Sequence, residues 1–272
     1  LDSIRHWIAK QDVPTRTAQY EMGLNDNGTE FVTPHGSITA DGWTDNPDAV
    51  HIERGNKSNA TVRAFTAEPG EDGGDINTDD VAEMIELIAQ SRLPDRITAI
   101  LGWWYAAPHR PRIFHTSGTF NPLAVIGRSG AGKTATLAAL NEMWGMGTEP
   151  QSVDSTKHAT LTAFAASRGV PVWFDEYRPE ATADYVMDRF HGYYKKAATG
   201  GILPKGNHSM GTDDWHLRSP VVVSGESEIR ANAERRRTVN VNVTSSPTEN
   251  AEMKQAFYDL VGDVTVGDDG SL

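Results

Sequence analysis

The spacing of apolar positions changes character near residue 120. Beyond it, short aliphatic and β-branched runs alternate with stretches of helical spacing. Strands are predicted at 122–126, near 151–154, at 170–175, at 220–224 and at 238–243. Between the first two, residues 134–144 place Leu137, Leu140, Met143 and Trp144 on one helical face. Asp184 to Ala198 predicts another helix, with Tyr185, Phe190, Tyr193 and Tyr194 as its apolar members. Such strand–helix alternation marks a parallel sheet with crossover helices. Residues 12–67 read instead as β-rich, with 30–38 and 60–66 alternating or β-branched between Gly, Asn and Asp clusters. Residues 68–75 form a solvated turn or linker. Asp80, with Glu83 three residues on, predicts a capped amphipathic helix carrying Val81, Met84, Ile85 and Ile88. A second helix from Pro94 carries Ile97, Ile100, Leu101 and Trp104 and ends before Pro108. A last helix is expected over Asn250–Val261, before an acidic tail. The expected division is a β-rich region with a helix over 1–92, an α/β unit over 93–247, and a partial helical lid or acidic tail over 248–272.

The turn between the first predicted strand and helix carries the chemistry. Gly127-Arg-Ser-Gly-Ala-Gly-Lys-Thr134 fits the P-loop pattern G-x-x-x-x-G-K-[ST]. Its glycines let successive backbone N–H groups turn inward around phosphate oxygens, and the following helix adds its positive dipole end. Gly127, Ser129, Gly130, Ala131, Gly132, Lys133 and Thr134 are therefore the candidate nucleotide cradle. Lys133 would reach the β- and γ-phosphates, and the Thr134 hydroxyl would hold Mg²⁺. The strand at 170–174 ends in Asp175-Glu176, which assigns Asp175 to Mg²⁺ and Glu176 to polarising the attacking water. Pro220-Val-Val-Val-Ser224 suits a strand lying between those two, with Ser224 at the γ-phosphate or water and Glu226 as the alternative. Arg235, Arg236 and Arg237 precede the last strand. One of them is a candidate finger on transferring phosphoryl charge, acting in trans; a salt-bridged surface run is the competing reading. The 49 positions from Asp175 to Ser224 exceed one crossover, so residues 200–216 are expected to form an inserted hairpin or loop. Lys195, Lys196, Lys205 and His208 make that stretch locally basic, which suits nucleic-acid phosphates or an ordinary surface loop.

Composition sharpens part of this. The 272 residues carry a net charge of −12, which at first argues against a nucleic-acid partner. Residues 1–100 hold 8 basic and 18 acidic side chains and 244–272 hold 1 and 6, whereas 101–243 hold 16 and 13. The acid load thus lies outside the α/β unit. With arginine favoured over lysine and aspartate over glutamate, the surface resembles that of proteins from salt-loving organisms, haloarchaea among them. Absence of cysteine excludes disulfides and cysteine-ligated metal. No apolar run reaches membrane-spanning length and no secretory signal opens the chain, so a cytoplasmic location is expected. Leu1 is not an initiator methionine, which suggests a piece of a longer polypeptide.

On these residues the chain resembles additional-strand P-loop ATPases of the AAA+ kind. The order P-loop, Asp-Glu strand, inserted hairpin, serine-ended strand and arginine run resembles the pre-sensor-1 hairpin clade, which includes superfamily III viral and plasmid helicases. With Trp144-Gly145 and Ser224-Gly-Glu226, residues 95–243 are similar to primase-associated ATPases of plasmids, prophages and archaeal viruses. The resemblance implies ATP and Mg²⁺ as cofactors, a homo-oligomeric ring, single-stranded DNA as partner and a primase domain or protein nearby. It implies a replicative DNA motor of a mobile element, with an ATPase that remodels protein partners as the alternative. A nucleoside kinase needs neither the Asp-Glu pair nor the long insertion. Asn56-Lys57-Ser58-Asn59 superficially suggests guanine specificity, but it precedes the P-loop and lacks the aspartate.

Overall fold

Five parallel strands, in the spatial order Val239–Asn242, Leu123–Ile126, Val221–Gly225, Val172–Tyr177 and Gln151–Ser152, form the centre of the molecule. The computed structural model describes residues 15–53, 60–65, 78–91, 94–147, 149–206, 211–229, 232–243 and 251–265, together with Trp7 and Lys10. In chain order the strands are β7 (Leu123–Ile126), β8 (Gln151–Ser152), β9 (Val172–Tyr177), β12 (Val221–Gly225) and β13 (Val239–Asn242). Each lies within the predicted strand positions or reaches at most two residues past them. Strands buried on both faces read as continuous apolar runs, which is why they were visible in the pattern.

The period of two sorts their side chains between two cores. Leu123, Val125, Trp173, Val222 and Val241 face one, shared with α3 (Pro94–Ala106), α5 (Lys133–Glu142) and Phe257 of α9 (Ala251–Thr265). Ala124, Ile126, Val172, Phe174, Val221 and Val223 face the other, against α6 (Lys157–Phe164) and α7 (Asp184–Ala198). There Phe164, Phe174, Phe190 and Tyr193 stack and meet edge to face at 5.2–5.9 Å. Phe190, Tyr193 and Tyr194 are buried as expected, but Tyr185 is 73% exposed and belongs to the polar face of α7. The helix α2 (Thr78–Gln90) begins two residues before Asp80, contributes Ile88 to the first core, and packs against α9.

α3 ends at Ala106, before Pro108 as expected. Pro108 sits in a 3₁₀ turn, Ala107–His109, and α4 (Arg110–Ser117) follows at once, closed by Gly118 at φ 73°. Proline fits both starts because its missing N–H is an orphan in any first helical turn.

The amino-terminal part holds a four-stranded antiparallel sheet of β2 (Gly23–Leu24), β3 (Phe31–Val32), β4 (Ser37–Thr39) and β5 (Gly42–Thr44), beside a parallel pair of β1 (Thr17–Gln19) and β6 (Ala49–His51). The buried Glu30 carboxylate accepts from the amides of Asp48 and Ala49 at 2.9 and 3.0 Å, tying the two pieces together. The region is sewn to the central sheet. Met22 bridges Ser167, and Gly23 approaches so closely that a Cβ there would lie 2.8 Å from the Gly169 nitrogen.

Residues 60–65 correct the strand expected over 60–66, whose last residue lies outside the described ones: Ala60–Arg63 form a helical turn, α1. Val62 and Phe65, three apart and hence on one helical side, enter a small core with Met22, Met146 and Val170. A strand would have sent them to opposite faces. Residues 56–59, 68–75 and 208, and Asn250, lie outside the described residues.

Between β9 and β12 the chain forms α7 and then an antiparallel hairpin of β10 (Ile202–Gly206) and β11 (Thr212–His216). The remaining helix, α8 (Asn232–Arg235), precedes the edge strand β13. No described helix is long and apolar enough to cross a membrane.

Candidate functional site

Gly127 follows β7 at the carboxyl end of the sheet, and the loop to α5 turns through left-handed Gly130 and Gly132, at φ 73° and 71°. At Gly127 close approach demands glycine, since a Cβ would lie 2.2 Å from the Val243 carbonyl oxygen. The Gly127 amide donates to the Gly225 carbonyl at 3.1 Å, fastening this loop to the end of β12. Ser129 and Gly130 are exposed, whereas Ala131 is buried. Lys133, itself buried, folds back and donates to the carbonyls of Gly127 and Arg128, both at 2.8 Å. Its ammonium is thus held within the mouth of the loop.

Asp175 is the hub of the site. One carboxylate oxygen accepts from the Thr134 hydroxyl at 2.9 Å; the other accepts from the Ser224 hydroxyl at 2.6 Å and from the Glu176 amide at 2.8 Å. Behind Ser224, the Trp173 indole N–H donates to its oxygen at 2.7 Å. Ser224 is fully buried, so its hydroxyl orients the carboxylate from within the sheet. Trp173 was not foreseen as part of this site. A buried indole must find an acceptor for its N–H, and the polar end of the neighbouring strand supplies one.

Glu176 owes its position to a bulge. Val223 pairs with Phe174 and Gly225 with Tyr177, so Asp175 and Glu176 together oppose Ser224. Glu176 sits at φ 59°, the one positive value among the described residues other than glycine. The extra residue turns its side chain into solvent while Asp175 faces Thr134. Glu226, the alternative to Ser224, is exposed and pairs with Arg178 at 3.7 Å.

A divalent cation fits this donor set. The Thr134 hydroxyl and the Asp175 carboxylate are hard oxygen donors already in contact, beside a loop shaped for phosphate. Among the described residues no cluster of three or more His, Cys, Asp or Glu forms an all-protein cage.

The other candidates lie elsewhere. Arg235, Arg236 and Arg237 are exposed and precede β13, at the opposite end of the parallel sheet from the P-loop. Arg235 faces Glu228 at 3.5 Å and Arg237 donates to the Ala233 carbonyl. Between them and the core, buried Glu234 holds Lys195 at 2.7 Å. Burial pushes the Glu234 carboxyl up. The Lys195 hydrogen bond, a backbone amide, the Lys195 charge and His191 together outweigh it and leave it below its ordinary value. Lys196 donates to the Ile202 carbonyl at 3.4 Å. Lys205, on the hairpin, lies 3.2 Å from His158 and 5.6 Å over the Trp215 ring. Its cross-strand partner is Asp213, followed by Asp214, so the described part of the hairpin is less basic than lysine counting suggests. His208 lies outside the described residues.

No protein-family model matches the chain, and no curated protein is similar to it. Among solved structures, the SCCmec type IV Cch active helicase aligns at TM-score 0.55 and 15% identity, over 94% of this chain and 46% of that one. The NrS-1 C-terminal region aligns at TM-score 0.46 and 12% identity, over 96% and 56%. JCV helicase aligns at 0.41 and 12%, over 70% and 52%. The chain thus spans about half the length of these structures. The first likeness is one of fold, and together with the sheet order and the loop after β7 it makes this an α/β protein of the P-loop NTPase fold.

Proposed function

We propose that the chain is the ATP-hydrolysing part of a motor that works on single-stranded DNA as a homo-oligomeric ring. The observation that carries this reading is the Thr134–Asp175–Ser224 network, with Glu176 thrust clear of it by the bulge. Lys133 would exchange the Gly127 and Arg128 carbonyls for the β- and γ-phosphates of ATP. Thr134 and Asp175 would hold Mg²⁺, which when bound neutralises phosphate charge and orients the leaving group. Glu176, exposed and unencumbered by the Asp175 hydrogen bonds, would accept the proton of the attacking water. The arginines before β13 are too far along the sheet to serve their own P-loop, which favours Arg235, Arg236 or Arg237 acting on a neighbouring subunit's nucleotide. We take 93–247 as the ATPase unit, 1–92 as its amino-terminal attachment and 248–272 as a partial lid, and a primase as a neighbour in the longer protein. The SCCmec helicase carries an activity of the proposed class.

A second reading, remodelling of protein partners, is favoured by Asp213 and Asp214 on the hairpin, since adjacent acids repel a phosphate backbone. The ATPase rate with and without single-stranded DNA, in low and in molar KCl, decides between them. Strong stimulation supports the DNA motor, and hydrolysis indifferent to DNA overturns it in favour of remodelling.

A further inference from the structure

At the amino end of the sheet, away from the P-loop, three arginines converge where three elements begin. Arg110 opens α4, Arg168 precedes β9 and Arg218 precedes β12. They line a cavity of about 380 Å³ with Asp26, Phe114 and His115.

The charges there are poorly matched. Arg168 donates to the Asp26 carboxylate at 2.6 Å and to Gln19 at 2.5 Å, while its Nε, like that of Arg110, has no partner among the described residues. Arg110 is only 2% exposed, yet among the described residues its one side-chain hydrogen bond is neutral, to the Ala197 carbonyl at 2.8 Å, and its Nε has no partner. It makes no ion pair among the described residues, and Phe114 lies 5.3 Å beneath its guanidinium. Burial first, then the like charge of Arg218, bring its pKa down to about 9, so at neutral pH it stays charged. Arg218 is half-buried and makes no side-chain hydrogen bond or ion pair among the described residues. In this cavity three guanidiniums thus meet one carboxylate, that of Asp26; Glu21 and Asp48 line the adjoining cavity with Arg168 and Arg218 but pair with neither. A buried cation without a counter-ion is costly unless an anion enters.

Guanidinium forks match the oxygens of phosphate in geometry and charge. The location favours a phosphate on a strand. The hairpin springs from this place: the Leu217 amide donates to the Gly201 carbonyl at 3.0 Å, Gly200 lines the cavity, and Arg218 follows. A strand that meets the hairpin at its root, clear of Asp213 and Asp214, would bring a phosphodiester over Arg218 and Arg110.

We infer that Arg110 and Arg218, with Arg168 behind them, form a second phosphate site at the root of the hairpin, taking a backbone phosphate of bound single-stranded nucleic acid. The nucleic-acid source rests on the proposed action on DNA; the phosphate chemistry does not.

The test uses the whole chain carrying Lys133→Ala, which weakens the P-loop and leaves any residual response of its backbone common to both proteins, with and without Arg218→Glu. Inorganic phosphate is compared with chloride at equal ionic strength by thermal denaturation. Oligo-dT binding is followed by anisotropy across a KCl series. Phosphate should raise Tm by about 2–4 °C only where Arg218 is present. The slope of log K against log salt should fall by about 0.7 on Arg218→Glu, one contact's worth on a single strand. The glutamate should also raise Tm without phosphate by pairing with Arg110, which separates loss of the site from misfolding; Arg218→Gln serves should the reversal not fold. Loss of the phosphate response with an unchanged DNA slope overturns the strand and leaves a free-phosphate site. If neither protein binds oligo-dT, the motor reading fails while the phosphate response still decides the site. An unchanged response in both measurements overturns the inference.

Discussion

At the carboxyl ends of the central strands, the Asp175 carboxylate has a donor on each oxygen, and Ser224 in turn has one from Trp173. At the amino ends, Arg110 and Arg218 hold charge that no carboxylate among the described residues meets. Each end has a different kind of readiness. The first is a closed network that fixes the carboxylate before any nucleotide arrives, so little has to reorganise during chemistry. The second is an open cluster whose electrostatics improve only when something anionic arrives. Hydrogen bonds set the geometry at one end, and unmatched charge sets the ligand at the other.

That contrast can be broken most forcefully at the closed end. Glu176→Gln should lower the ATPase kcat by about 10²–10⁴-fold, as expected for loss of a general base, with nucleotide affinity kept. Single-turnover hydrolysis beside equilibrium nucleotide binding checks this, and retained turnover would move the base elsewhere. Lys133→Ala should cost about 10²–10³-fold through lost phosphate stabilisation, and nucleotide binding should weaken with it; titration of a fluorescent nucleotide reads the second effect.

Lys195 sharpens the comparison at the other end, because its charge is matched while those of Arg110 and Arg218 are not. Lys195→Met leaves Glu234 buried without its cation and should cost about 2–3 kcal/mol at neutral pH, less than a fully buried pair because Lys195 is partly exposed. In the native protein the Glu234 carboxyl lies below its ordinary 4.5. Its contribution is therefore full above 4.5 and is lost as pH falls through the lower, folded value. In the variant burial dominates, the folded carboxyl takes up its proton more readily than the unfolded one, and acid stabilises. The Tm difference between the two proteins should accordingly shrink from pH 7 to about pH 4. A gap independent of pH would mean that Lys195 contributes by packing alone. Trp173→Phe, the smallest change, removes one donor to Ser224 and should cost about 1–2 kcal/mol of stability. As Trp173 positions Asp175 only through Ser224, kcat should fall a few-fold with KM unchanged, whereas a purely structural tryptophan would leave kcat alone.

Much of the central sheet could be read from the chain because its strands are buried on both faces and bounded by Gly and Pro, and because the P-loop pins where β7 ends. Thr134 and Asp175, 41 positions apart and both named from motif spacing, do touch. Features built from remote pieces were hidden. Val62 and Phe65 fold as a helical turn because Met22, Met146 and Val170 meet there, and four β-branched or aromatic residues in seven carry no sign of that. Pro108 marked the end of α3 correctly, but the 3₁₀ turn and α4 that follow it carried no apolar periodicity to announce them. Arg110 and Arg218 belong to segments separated by more than a hundred positions, which no local periodicity joins. The acids opposite Lys205 were legible as residues, but only the strand register sets Asp213 across from it.

The backbone at Glu176 sets function against durability. A left-handed residue with a Cβ costs on the order of 1 kcal/mol or more, which glycine would largely return. Glu176→Gly should therefore melt higher than the native chain while losing the carboxylate on which hydrolysis is proposed to depend. A population of variants sorted by heat resistance alone would drift toward glycine or asparagine at this position and arrive at a sturdier protein without the carboxylate that the proposed chemistry needs.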